Sequence, residues 1–108
     1  MAWTLLIIAG ALETVWALAL KQSDGFSRLL PTLVFAVAGL ASIALLALAL
    51  RDLPVGTGYA VWTGIGAVGA AIAGIVVLSE PATLARLVPI GLIAIGIVWL
   101  AVAEQSSA

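Results

Sequence analysis

The chain has 108 residues, of which 65% are hydrophobic and only 8% charged, and its net charge is −1. A soluble domain carries roughly 25% charged residues, so this composition describes a membrane protein, and the length suits one compact unit with no soluble domain expected. Cys and His are absent, which excludes disulfides, thiol chemistry and imidazole-based metal or acid–base sites. No basic tract offers itself to nucleic acid, and no cofactor is expected.

Four apolar segments follow one another: about 3–20, 29–50, 58–78 and 84–103. Each is near the roughly 20 residues that cross a bilayer core of about 30 Å. So short a chain has no room for a closed barrel, and only helices satisfy their own backbone in lipid. The expected fold is all-α: residues 1–108 form a single four-helix transmembrane domain. Within the first segment Ala17, Leu18 and Ala19 form a small-x-small pattern like a signal-peptide cleavage site. The start has no cationic region, however, and a carboxylate interrupts the apolar run, so this helix is expected to stay. Lys21, Asp24, Gly25 and Arg28 mark the first break, with Pro31 fitting the first turn of the second helix. Arg51, Asp52, Pro54 and Gly56 mark the second break, and Ser79, Glu80 and Pro81 the third. The polar tail from Glu104 to Ala108 is expected to fray. Neither Glu80 nor Glu104 calls for a special role.

An even number of crossings puts both termini on one side. Lys21, Arg28 and Arg86 then face one side and Arg51 the other, three against one. So small a bias fixes orientation poorly. It is compatible with one loosely specified orientation, and equally with insertion both ways and an antiparallel dimer. The third helix carries Gly64, Gly66, Gly69, Ala73 and Gly74; the fourth carries Gly91, Ala94 and Gly96. Small residues let membrane helices approach closely. The fourth helix has no polar residue between Pro89 and Val102, which suits a dimer seam; packing within one chain would use the same pattern.

The chemistry centres on Glu13. The run from Trp3 to Leu20 is apolar apart from Thr4, Glu13 and Thr14. A charged side chain at the centre of a membrane helix costs about 2.5–3.5 kcal/mol on insertion scales, and such residues mark functional sites. Residues three or four apart share a helix face, so Glu13 aligns with Gly10 and Trp16, and Tyr59 aligns with Trp62 and Gly66. Ser42 is the lone polar residue between Phe35 and Leu50. Tyr59 also fits an interfacial belt, and Ser42 also fits a bond back to its own helix. In lipid the ionised acid is the costly form. A proton or an organic cation therefore neutralises it, and the two compete for one site. Aromatic faces at Tyr59, Trp62 and Trp16 suit a desolvated cation. With no second titratable group at membrane depth, a transporter is expected rather than an enzyme. A subunit that merely packs in a larger membrane complex would gain nothing from Glu13.

These residues resemble the small multidrug resistance family over essentially the whole chain. Glu13, Trp16, Ala17, Lys21, Ser23, Gly25, Phe26 and Arg28 resemble its guanidinium-exporter branch more closely. The run from Leu53 to Gly66 is similar to the family's most recognisable segment, with Gly58 standing where Ala is expected. The run Gly91–Gly96 resembles the dimerisation stretch. The resemblance implies an antiparallel, dual-topology homodimer in a bacterial inner membrane, with two Glu13 carboxylates in one site. Protons entering would drive a guanidinium-type cation out; a broader quaternary-ammonium exporter is the alternative. It further implies that Trp16 and Ser42 hydrogen-bond Glu13, that Tyr59 and Trp62 wall the cavity, and that Gly64 and Gly66 let the third helix bend.

Overall fold

The first helix, α1, runs Ala2–Gln22, and Ser23 closes it. The Ser23 hydroxyl donates to the Leu20 carbonyl at 2.7 Å and accepts the Phe26 amide at 3.1 Å. The turn that follows places Asp24, Gly25 and Phe26 in the left-handed region, with φ of 50°, 70° and 68°. Glycine at its centre relieves the strain of that reversal. Arg28 is extended, and α2 spans Leu29–Ala49 with Pro31 in its first turn, where a missing amide costs nothing.

The third helix, α3, spans Val55–Leu78 and begins at Pro54 rather than at Gly58. Pro54 is well suited to the boundary: its φ is fixed, and its carbonyl accepts the Gly58 amide at 2.9 Å. At the far end Ser79 turns left-handed, and the amides of Ser79 and Glu80 both reach back to the Gly74 carbonyl. The last helix, α4, spans Leu84–Ser107 and carries Pro89 within it. The computed structural model describes residues 1–107; Ala108, the end of the tail expected to fray, lies outside them. The rest of that tail is helical. Its anchor is Glu104, whose Oε1 accepts the Thr57 hydroxyl at 2.9 Å and ties the end of α4 to the start of α3.

All four helices are long and apolar enough to cross a membrane. They do not close into a bundle. α1 packs against α2 and α3, and α4 touches α3 alone. The result is a slab measuring 45 × 34 × 16 Å, much thinner in one direction than in the other two. The small core lies where α1, α2 and α3 meet, at Leu6, Ala9, Leu46, Ala49, Val61 and Trp62. Among the described residues, none of α4 is buried. Leu92, Ile95, Val98 and Trp99 project from it into the surroundings, as do Val37 and Leu40 from α2. Exposed apolar side chains on this scale need lipid or a partner.

Glu80 is not an idle loop charge. It accepts from Arg86 at 3.0 Å, and Arg86 also donates to the Pro81 carbonyl at 2.9 Å. Both ionic side chains are about one-third exposed, at 35% and 37%, so their worth is in shaping the α3–α4 turn rather than in stability.

Candidate functional site

Glu13 lies midway along α1, on the side that meets α3. Its carboxylate rests on Gly66: a Cβ added there would stand 2.6 Å from Oε2. Only glycine leaves room for the acid at this crossing. Among the described residues Oε2 is buried and has no hydrogen-bond partner. A buried polar atom left unmade costs about 1–3 kcal/mol, more when charged. The chain thus holds an acid in a place where something other than itself must complete the bonding.

The neighbouring polar groups are already arranged. Ser42 is fully buried. The Trp62 indole N–H donates to its hydroxyl at 2.9 Å, and the hydroxyl donates to the Ala9 carbonyl at 2.7 Å. This chain of bonds joins α3, α2 and α1 in sequence. Ala9 stands one turn before Glu13, so its carbonyl is also the helical acceptor for the Glu13 amide. Ser42 therefore bonds neither Glu13 nor its own helix, the two outcomes the sequence suggested. It steadies the α1 backbone beneath the acid.

Trp16 likewise makes no hydrogen bond to Glu13. Its ring meets Phe35 of α2 edge-on, with centroids 5.7 Å apart and planes at 78°, and its buried Nε1 has no partner among the described residues. Phe35 in turn touches Phe26, 5.6 Å away. Tyr59 is exposed and lies against the buried Trp62, with centroids 5.4 Å apart. The two form one aromatic step on α3.

The glycines divide by partner. Gly10 is buried, and a Cβ there would come 2.6 Å from Ile65 Cγ2, so it sets the α1–α3 approach. Gly64 faces the other way, against the Ile97 side chain of α4. α3 runs unbroken through both Gly64 and Gly66. Gly91 and Gly96 look into open space, and Ala94 is part-exposed. All three sit on α4, away from Glu13.

Two hydroxyls escaped the sequence reading. Thr14 presses on Gly69 of α3, and Thr63 carries a buried Oγ1 with no partner among the described residues. The signal for Thr63 was there: it falls four residues after Tyr59 and three before Gly66, on one face. No three acidic, His or Cys side chains among the described residues stand close enough to hold a metal. The arrangement is a single acid seated on a glycine at the α1–α3 crossing of an apolar slab.

The family model described as Small Multidrug Resistance protein matches residues 1–93. The chain belongs to this family. Within the small multidrug resistance proteins, relatives named guanidinium exporter align with nearly the whole chain. The one from Yersinia pseudotuberculosis is 59% identical over 104 residues, covering 96% of this chain and 100% of the relative. Those from Citrobacter freundii and Salmonella typhimurium are each 58% identical over 100 residues, covering 93% of this chain and 95% of the relative. The resemblance read from Glu13 to Arg28 and from Leu53 to Gly66 is thereby upheld. With four apolar spans, this small multidrug resistance protein is a multi-pass protein of the bacterial inner membrane.

Proposed function

We propose that the protein is a secondary transporter that exports guanidinium and small substituted guanidinium cations in exchange for protons. The observation that carries this reading is the buried, unpartnered Oε2 of Glu13. Guanidinium presents a planar fork of N–H donors that a carboxylate receives bidentately, and the pair is strongest where water is excluded. A proton satisfies the same oxygen. The two ligands therefore displace each other, and that competition couples their fluxes. The names of the relatives at 58–59% identity point to the same cation.

The working unit in this proposal is an antiparallel homodimer with both Glu13 carboxylates in one site. A slab 16 Å thick cannot wrap an ion; a second slab laid against it supplies the missing wall. The α4 stretch Gly91, Ala94 and Gly96, open on one side, suits close approach of another helix. Tyr59, Trp62 and Trp16 wall the cavity, and Gly64 and Gly66 let α3 bend as the two subunits exchange conformations. The three-to-one split of Lys and Arg fixes orientation only weakly and so permits insertion both ways. Tags on the C-terminus should accordingly be found on both faces of the membrane; a strictly single orientation would rule out the antiparallel pair.

Reconstituted vesicles test the substrate. A pH gradient should drive guanidinium across, and tetramethylammonium, which has no N–H to give, should follow at least about tenfold more weakly. Equal exchange of both would favour the broader quaternary-ammonium exporter. No pH-driven guanidinium movement would defeat the proposal.

A further inference from the structure

We infer that Thr63 is a substrate-binding residue of this site, its hydroxyl accepting an N–H from the planar cation that Glu13 neutralises; the inference rests on the guanidinium reading above. A threonine inside a helix ordinarily donates to the carbonyl one turn back. Thr32 does so, reaching the Arg28 carbonyl at 2.7 Å. The carbonyl available to Thr63 is that of Tyr59, yet its buried Oγ1 forms no hydrogen bond among the described residues. Among the described residues three side-chain atoms share that condition: Glu13 Oε2, Trp16 Nε1 and Thr63 Oγ1. All three belong to α1 and α3, the helices that meet at the acid.

Their placement is not scattered. The Glu13 carboxylate rests on Gly66. Thr63 lies three residues before Gly66 on the same face, about 4.5 Å along the axis. A small planar cation with one edge on the carboxylate would lie alongside this turn of α3. Two N–H groups then meet Glu13, and a third points along α3 toward Thr63. A hydroxyl both accepts and donates. Thr63 therefore receives that N–H on its unengaged oxygen. Ser42 is less free to serve in its place, because its hydroxyl already donates to Ala9 and accepts from Trp62. A cation without N–H groups gains nothing from Thr63, so the residue also sharpens selectivity for guanidinium.

The test compares the wild-type chain with Thr63→Val and Thr63→Ser in proteoliposomes, measuring the KM and maximal rate of pH-driven guanidinium uptake. Valine keeps the branched shape and removes the hydroxyl; serine keeps the hydroxyl and removes the methyl. Thr63→Val should raise KM about tenfold or more while the maximal rate stays within about twofold, and Thr63→Ser should restore KM to near wild type. Elution in detergent should match wild type for both variants, which separates lost binding from lost folding. An unchanged KM in Thr63→Val overturns the inference, as does a Thr63→Ser chain impaired as much as Thr63→Val, since packing would then be the cause. Wild-type protein that takes up no guanidinium would overturn the functional reading itself, and Thr63 with it.

Discussion

Glu13→Gln is expected to leave a chain that inserts and folds normally but exchanges neither guanidinium nor protons. Glutamine fills nearly the same volume over Gly66, so the α1–α3 crossing is preserved. What disappears is the charge. Removing one partner of a buried ion pair costs about 3–5 kcal/mol, or roughly two to four powers of ten in affinity. The amide also cannot take up and release a proton near neutral pH. Guanidinium flux under a pH gradient should therefore fall at least about a hundredfold, with detergent elution unchanged. Flux kept within a few fold would remove Glu13 from the mechanism.

The second large effect is expected at Gly66. A Cβ at this position stands 2.6 Å from Glu13 Oε2, well inside any tolerable contact. α3 cannot retreat cheaply, because its opposite face is held against Ile97 by Gly64. The flexible Glu13 side chain must swing instead, and the acid leaves its seat. Gly66→Ala should cut guanidinium flux by about tenfold, and Gly66→Val should cut it further, consistent with overpacking costs of about 1–3 kcal/mol. Gly56→Ala is the control. Nothing lies within 4 Å of a Cβ at Gly56, so its flux should match wild type. Full activity in Gly66→Val would show that the seat seen here is not the working one.

The four membrane helices were legible in the sequence because a run of some twenty apolar residues has few other uses. Their ends were less so. Val55 and Thr57 already belong to α3, since Pro54 is a helix boundary whatever the hydropathy of the residues behind it. The polar tail of α4 stays helical because Thr57 holds Glu104 across a separation of 47 residues, a tertiary contact that local composition does not encode. The flat slab was hidden for the same reason: small residues announce close approach without naming the partner. Gly64 proved to face α4 and Gly66 to face α1, two positions apart on one helix.

The site shows a similar divide. A lone acid in an apolar run stands out in any reading, and Glu13 did. The bonding of Ser42 did not, because one of its partners is a backbone carbonyl, that of Ala9. Every residue offers such a carbonyl, so sequence alone does not single one out. Helical spacing put Trp16 on the face of Glu13, and the family resemblance implied that its N–H points at the acid. Phe35, nineteen positions away in the chain, offers the ring an edge-on contact instead.

The proposed exchange requires that a hydrogen ion and an organic cation occupy the Glu13 carboxyl by turns. Adding guanidinium to the purified protein in weakly buffered solution at neutral pH tests this most directly, with the released protons counted. Wild type should acidify the medium in step with guanidinium binding, and Glu13→Gln should release nothing. Guanidinium that binds the wild-type protein without liberating protons would contradict it.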